Sequence, residues 1–170
     1  MVRYQAEGAL ARDKGDGYGT SRYVSLALFV IAVIGVGFAI GMLNPPGQWY
    51  AALSKPSFNP PNYIFGPVWS VIYLLIAVAG WRVWEAQGEV LGKFLWGAQM
   101  ALNFAWSPMF FTVHSIKGAL IIIVAMLLSI LAFIVHQWSR DRLSAVLFTP
   151  YALWVSFATV LNASIVMLNA

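Results

Sequence analysis

The sequence VSLALFVIAVIGVGFAIGML occupies residues 24–43 and contains no charged residue. In a helix, a stretch of this length spans about 30 Å, which is the thickness of the hydrocarbon core of a bilayer. The stretch is too long for the apolar part of a signal peptide, and the Asn44-Pro45-Pro46 that follows it is not a small-residue cleavage site. It therefore predicts a transmembrane helix.

Four more apolar windows follow along the chain, each long enough for a further helix. Charged residues separate the windows, and the predicted helices cover residues 64–84, 94–113, 118–138 and 143–168. The chain is 61% hydrophobic and only 9% charged, whereas about a quarter of the residues in a soluble domain are charged. These features predict an all-α fold, an integral membrane bundle of five transmembrane helices over residues 24–170.

The distribution of Lys and Arg predicts the orientation of the bundle, because loops rich in these residues stay in the cytoplasm. The side that carries the N-terminus has Arg3, Arg12, Lys14, Arg22, Arg82, Lys93, Arg140 and Arg142, and the other side has Lys55 and Lys117. We therefore expect a disordered cytoplasmic tail over residues 1–23, a cytoplasmic N-terminus and an external C-terminus, in a bacterial membrane. Since the basic residues are not clustered in a folded domain, the net charge of +4 does not indicate nucleic-acid binding.

The ionisable side chains exclude several kinds of function. All six carboxylates lie outside the predicted helices or at their ends, so neither an acid–base pair nor a proton-driven pump is expected in the membrane interior. His114 lies at the outer end of the third predicted helix and His136 at the inner end of the fourth, roughly 33 Å apart, so they cannot share a haem iron. The chain has no Cys. The sequence predicts neither a metal site nor a resident cofactor.

A proline-rich segment, residues 44–63, separates the first two predicted helices. Its prolines restrict the backbone, and a connection of this length is long for a compact bundle. We expect an ordered lid over one end of the bundle, and the alternative is a hairpin loop that only shields helix ends. The residues assigned to the lid are Trp49, Pro56, Phe58, Pro60, Pro61 and Tyr63.

Amide and aromatic side chains recur at helical spacing inside three of the predicted helices. Residues three or four positions apart share one face of a helix. Carboxamides in hydrocarbon need a partner, which turns such a face toward the bundle interior. The residues that share these faces are Gln99, Asn103, Trp106 and Phe110 on the third helix, Trp69 and Tyr73 on the second, and Trp154, Ala158 and Asn162 on the fifth.

Two interpretations of these faces stay open at the level of sequence. Pro108 and Pro150 can kink their helices beside the aromatic residues and leave room between them, which favours a Trp-lined apolar pocket for a flat hydrophobic ligand. The alternative is ordinary helix packing in which the amides join neighbouring helices. The Gly37-x-x-x-Gly41 pair allows close helix contact, either within one subunit or between two.

Four separated motifs carry a resemblance to a known family. They are residues 55–61 (KPSFNPP), residues 65–69 (FGPVW), residues 99–111 (QMALNFAWSPMFF), and residues 150–154 with 157–162 (PYALW and FATVLN). They resemble the tryptophan-rich sensory protein and translocator protein family, TspO, once called peripheral benzodiazepine receptors. The resemblance covers about residues 24–168 in order.

The resemblance implies a five-helix bundle, often dimeric, that binds porphyrins such as protoporphyrin IX as ligands. Animal members also bind cholesterol and synthetic benzodiazepine-site ligands. Together with the helix faces described above, the resemblance selects a set of candidate ligand-binding residues. They are Phe65, Trp69, Tyr73, Gln99, Asn103, Trp106, Phe110, Trp154 and Ala158.

Three functions are compatible with these observations. The first is a homodimeric membrane receptor or carrier for tetrapyrroles, without catalytic residues. The second is porphyrin breakdown driven by light and oxygen, as in some bacterial members, in which Trp69 and Trp154 would be catalytic. The third is a regulatory scaffold with an incidental pocket. Phe58 and Tyr63 stand where many relatives have Trp, and residues 163–170 lack the Tyr and basic residue of a proposed sterol motif, so that motif predicts no cholesterol site.

Overall fold

The computed structural model of the chain describes the backbone of residues 2–170 and the side chains of residues 21–170. Its elements are α1 (Val2–Leu43), α2 (Gln48–Ala52), α3 (Asn62–Glu85), α4 (Val90–Ser107), a π-helical segment (Pro108–Thr112), α5 (Ile116–Trp138) and α6 (Arg142–Leu168). No strand occurs among the described residues. The disordered tail predicted over residues 1–23 lies almost entirely outside the described side chains and stays a prediction.

Four stretches of helix within the described residues are long and apolar enough to cross a membrane. They are Ser21–Leu43, Asn62–Glu85, Ile116–Trp138 and Arg142–Leu168, with mean hydropathies of 2.7, 1.9, 3.1 and 1.7. The fifth spanning unit is α4, which continues without a break into the π-helical segment and is less apolar because it carries buried amides. The predicted class, an all-α integral membrane bundle of five helices, is confirmed.

The helices pack in an order that leaves α1 at the edge of the bundle. α6 packs against α5 and α3, α5 also packs against α4, and α1 packs chiefly against α3. Only 11% of the spanning window of α1 is buried, against 39% of the window of α3. The exposed apolar faces of these spanning helices contact the lipid bilayer.

A core that is mostly apolar fills the half of the bundle that lies away from α2. Phe133 and Phe148 are fully buried, and their ring centroids stack 4.0 Å apart. Trp96 packs directly on Gly80, where there is no room for a Cβ atom, and donates a hydrogen bond from Nε1 to the Ile76 carbonyl oxygen at 3.0 Å. These large side chains close the interior of the bundle on this side.

Ion pairs join the loops beyond that core, at what we call the charged end of the bundle. Arg82 donates two hydrogen bonds of 2.8 Å to Asp141, and they hold the pKa of this carboxyl below its usual value. Burial raises the pKa of Glu89, but hydrogen bonds from Arg140 at 2.8 Å and Gln137 at 3.2 Å help to lower it overall. Both ionised carboxylates stabilise the fold at neutral pH, and this contribution is lost as the pH falls through their lowered pKa values.

Pro108 changes the type of helix in the fourth spanning unit. Proline lacks an N–H, and its ring displaces the carbonyl group of the preceding turn. The Val113 N–H donates to the Pro108 carbonyl oxygen, five residues back, at 2.9 Å, which is the π-helical pattern. Phe110 lies in this wider turn and is only 2% exposed. The sequence predicts that Pro108 and Pro150 can each kink a helix. At Pro108 the structure has a π-helical turn, whereas α6 continues as a helix through Pro150.

Candidate functional site

A cavity of about 400 Å³ lies between the helices in the half of the bundle next to α2. Its walls are mostly hydrocarbon and aromatic, and no described residue that lines it is charged. The volume falls in the range of about 300–1,000 Å³ that is usual for small-molecule sites. Eight of the nine candidate ligand-binding residues line it, namely Phe65, Trp69, Tyr73, Asn103, Trp106, Phe110, Trp154 and Ala158.

A chain of hydrogen bonds crosses the bundle at the floor of the cavity. The Tyr73 hydroxyl donates to Asn103 Oδ1 at 2.8 Å, and Asn103 Nδ2 donates to the Tyr151 hydroxyl oxygen at 2.9 Å. The Tyr151 hydroxyl in turn donates to Met126 Sδ at 3.2 Å. The chain therefore connects α3, α4, α6 and α5, and it uses both ends of the Asn103 amide.

The side-chain amide of Asn162, also in the cavity wall, is hydrogen-bonded to other parts of the protein. Trp106 Nε1 donates to Asn162 Oδ1 at 3.2 Å, and Asn162 Nδ2 donates to the Ile116 carbonyl oxygen at 3.1 Å. These bonds join α4, α6 and the start of α5. The two interpretations left open by the sequence thus coexist, because the same amides line the cavity and hold the helices together.

Asn103→Leu is expected to destabilise the protein by about 2–3 kcal/mol, because it leaves the Tyr73 hydroxyl without its acceptor and Tyr151 without its amide donor in a dry interior. Thermal unfolding of the detergent-solubilised protein measures the loss. Asn62→Leu is the matched control, since Asn62 also lines the cavity but is exposed, and it should shift stability by less than about 0.5 kcal/mol. An Asn103→Leu protein as stable as the wild type would contradict the role of this amide in joining the helices.

Gln99 is the candidate residue that the structure places outside the cavity. It lies one helical turn from Asn103, on the same face of α4 but toward the charged end. Its side chain is fully buried, and neither amide atom has a hydrogen-bond partner. Helical spacing correctly indicates that Gln99 faces the interior, but the chain through Asn103 and Tyr151 marks where the cavity ends.

The lid segment contains a short helix, α2, that covers one end of the cavity. Tyr50 lines the cavity and packs edge-on against Phe110 and Phe111, with ring centroids 6.0 and 5.4 Å apart. Trp49 instead stacks on His114 at 4.2 Å, which attaches α2 to the turn before α5. The segment thus forms an ordered cap rather than an open loop.

The lid residues chosen from the sequence do not line the cavity. Phe58 is 47% exposed and contacts Phe157 at a centroid distance of 6.3 Å, and Tyr63 is 78% exposed. From this part of the chain the cavity receives other residues, namely Asn44, Pro46, Tyr50 and Asn62. The residues chosen for the lid that lie outside its lining are Trp49, Pro56, Phe58, Pro60, Pro61 and Tyr63.

The cavity opens sideways between α1 and α3. Gly37 packs so closely on the ring of Tyr73 that a Cβ atom would collide with it, whereas Gly41, one turn farther along, and Gly66 on α3 face open space. Met42 lines the cavity and is 73% exposed. Exposed residues of both helices line the cavity here and mark a mouth between α1 and α3 on the lipid-facing side of the bundle. At Gly37 the close contact is within one subunit.

The described residues contain no group of three or more His, Cys, Asp or Glu side chains that could hold a metal ion. The cavity itself provides aromatic faces, hydrocarbon and hydrogen-bonded amides. Such a lining suits the binding of an apolar molecule.

Residues 28–168 match the sequence model of the TspO/MBR family. The chain belongs to this family. It is 39% identical over 152 residues to Protein CrtK of Rhodobacter capsulatus, a match that covers 86% of this chain and 95% of the relative. It is 34% identical to the tryptophan-rich protein TspO of Archaeoglobus fulgidus, over 86% of this chain and 98% of the relative. The human translocator protein is 35% identical over 68% of this chain and 71% of its own length.

These matches confirm the family that the four motifs indicate. They also agree with the apolar helices in making the chain a multi-pass integral membrane protein. Membership in the TspO/MBR family supports a general role as a membrane receptor or transporter.

Proposed function

We propose that the protein is a membrane receptor or carrier that binds tetrapyrroles such as protoporphyrin IX, and related flat hydrophobic molecules, in the cavity beneath α2. The observation that carries the proposal is the lining, in which Trp69, Trp106, Trp154 and Phe110 surround an uncharged space that opens toward lipid. Indole and phenyl rings provide large apolar faces on which a planar macrocycle packs. The relatives named tryptophan-rich sensory protein and translocator protein support a binding or carrier role of this kind.

The electrostatics of the site determine how a porphyrin would lie. Protoporphyrin IX carries two carboxylates, and burying them in an uncharged cavity would be unfavourable. The macrocycle therefore enters with its apolar edge first, and the carboxylates stay at the membrane surface. Lys55 provides a cation at this end, with Nζ 4.6 Å from the ring centroid of the cavity residue Tyr50.

Titration of protoporphyrin IX into the protein in lipid nanodiscs tests the proposal. Saturable quenching of tryptophan fluorescence, at one porphyrin per chain, is the expected result. Empty nanodiscs provide the control for partition into lipid. Quenching that rises linearly with porphyrin in both samples would contradict the proposal and favour a scaffold whose cavity is incidental.

Light-dependent porphyrin breakdown is the second candidate function. Trp69 favours it, because its ring lies 5.4 Å from that of Tyr73, which also lines the cavity, and 6.2 Å from that of the buried Tyr151, so three oxidisable side chains are close together beside the cavity. In that case Trp69→Phe and Trp154→Phe should bind protoporphyrin within about tenfold of wild type, roughly 1.4 kcal/mol, but lose product formation under light in air. Equal rates in the wild type, both variants and protein-free nanodiscs would exclude this candidate.

The orientation in the membrane is part of the proposal, with the charged end in the cytoplasm and α2 outside. Its support is the excess of Lys and Arg on the charged side. Cysteines introduced at the exposed positions Ser139 and Gln48 should react with a membrane-impermeant maleimide from the inside and from the outside, respectively. The chain has no native Cys to interfere. The opposite labelling pattern would reverse the orientation.

The proposal also includes a homodimer, which the resemblance to TspO proteins implies. The mass of the protein–detergent complex, measured by light scattering with a refractive-index correction for detergent, should correspond to two chains. A mass of one chain, 18.7 kDa, across the concentration range would contradict this part of the proposal.

A further inference from the structure

The basic side chains at the charged end of the bundle fall into two groups. Arg82 and Arg140 are engaged with carboxylates, through the ion pairs to Asp141 and Glu89. Three further basic residues of this end make no ion pair within the described part of the chain, and each places its cation over a tryptophan ring instead. These pairs, which we call the Trp–cation collar, are Arg22 with Trp81, Lys93 with Trp84, and Arg142 with Trp138, and the distances from cation to ring centroid are 5.2, 5.8 and 4.9 Å.

The collar lies where the spanning helices leave the hydrocarbon of the bilayer. Trp84 is the penultimate residue of α3, Trp138 is the last residue of α5, and Arg142 is the first residue of α6. Trp84 and Trp138 are each 50% exposed. Tryptophan is enriched at the boundary between hydrocarbon and water, because its ring is apolar and its N–H is polar. The cations beside these rings are therefore at the level of the lipid phosphate groups.

The geometry of each pair leaves its cation able to bind an anion. Attraction to the face of an indole ring holds a cation in place without neutralising it, unlike an ion pair with a carboxylate. The ring of Trp81 is itself fixed, because its Nε1 donates to Ser25 Oγ on α1 at 3.0 Å. A side chain that is already held in position loses less conformational freedom when it binds a ligand.

The combination of groups in a pair fits a phospholipid better than a soluble anion. The exposed indole ring contacts the upper part of an acyl chain, while the cation beside it meets the phosphate. The described side chains of this end include five basic and three acidic groups, a net charge of +2 with His136 neutral, which favours a lipid of net negative charge over a zwitterionic one. We propose that the collar binds the phosphodiester head groups of anionic phospholipids such as phosphatidylglycerol, one lipid to each pair.

The lipids that stay with the protein measure the preference of the collar. The protein is reconstituted in nanodiscs with equal amounts of phosphatidylglycerol and phosphatidylcholine that have the same acyl chains, and native mass spectrometry counts the retained lipids of each class. The wild type should retain phosphatidylglycerol preferentially. Arg142→Gln should weaken its site for this lipid about fivefold, equivalent to about 1 kcal/mol, and a triple variant that also carries Arg22→Gln and Lys93→Gln should retain both lipids alike.

Arg140→Gln and Lys117→Gln are the matched controls, because each removes one positive charge outside the collar. Arg140 lies at the same end but is paired with Glu89 at 2.8 Å, and Lys117 is exposed at the start of α5, at the opposite end of the bundle. Both should retain lipid as the wild type does. Trp138→Leu keeps every charge and removes the ring that holds Arg142, so it should lose part of the preference. Melting temperatures show whether each variant is folded.

Two results with the variants would disprove the collar. One is a triple variant with the wild-type preference. The other is an equal loss in Arg140→Gln and Arg142→Gln, because net charge rather than the pairs would then select the lipid. If the collar variants do not fold, the wild type still provides a test, since raising ammonium acetate from about 0.1 M to about 1 M shortens the Debye length from about 10 Å to about 3 Å and should remove most of the preference. A preference that is unchanged at high salt would contradict the proposal.

Discussion

Ala158→Phe is expected to lower the affinity for protoporphyrin IX by more than tenfold, which corresponds to at least about 1.4 kcal/mol. Ala158 lies on α6 one turn from Trp154, and its small side chain leaves part of the 400 Å³ cavity open. A benzyl group at this position would point into the space that the macrocycle needs. The walls from α3, α4 and α5 limit how far the ligand can shift away from α6. Fluorescence titration in nanodiscs measures the loss.

Ala101→Phe is the matched control for this experiment. Ala101 lies on the exposed face of α4, so the same substitution there adds a ring to a lipid-contacting surface and should leave affinity unchanged. Equal affinities of Ala158→Phe and wild type would mean that porphyrin binds elsewhere. A folded Ala158→Phe protein with an unchanged melting temperature is needed for the comparison.

Gly80→Ala is expected to destabilise the protein by about 3 kcal/mol. Alanine normally stabilises a helix relative to glycine by up to about 1 kcal/mol. A loss of stability in Gly80→Ala would therefore be opposite in sign to the usual effect of this substitution. The reason is that the Trp96 indole occupies the position of the missing Cβ atom and is held there by its bond to the Ile76 carbonyl oxygen. Displacing a packed ring in a full interior costs about 1–3 kcal/mol, and the lost hydrogen bond adds to that cost.

Gly97→Ala provides the opposite case on the neighbouring helix. A Cβ atom at Gly97 meets nothing within 4 Å, so helix propensity alone should act and raise stability slightly. Thermal unfolding of both variants in the same detergent compares them directly. If both glycine substitutions stabilise the protein, then Trp96 is not packed against Gly80 as described.

Helical spacing and the high cost of an unpaired carboxamide in hydrocarbon explain why much of the cavity is predictable. Asn103 must face the interior, and Trp106 and Phe110 follow it on the same face, so all three line the cavity. The same argument places Trp69 with Tyr73. The hydrogen-bond acceptor of the Asn103 amide, Tyr151, is harder to predict from the sequence. Tyr151 lies in a helix that is apolar on most sides, and only its hydroxyl group indicates that it needs a buried partner.

The rest of the site depends on information that periodicity does not contain. Residues 24–43 of α1 are apolar on every side, so their sequence has no polar face to indicate that Gly37 and Gly41 turn toward α3. In the segment before α3, the phase of the five-residue helix α2 decides that Tyr50 rather than Trp49 enters the cavity. Spacing also cannot locate the floor of a cavity, so the sequence alone places Gln99 among the residues that line it, whereas it lies outside the cavity.

The mouth between α1 and α3 affects how a dissociation constant should be expressed for this protein. A ligand that enters there reaches the site from the bilayer, so its rate of binding follows its concentration in lipid. At equilibrium, partition into lipid sets the free concentration of a hydrophobic ligand, so adding lipid at a fixed amount of ligand dilutes it and empties the site by mass action. Apparent constants calculated from total ligand concentration should therefore disagree between preparations with different lipid contents, and they should converge once they are expressed per mole of lipid.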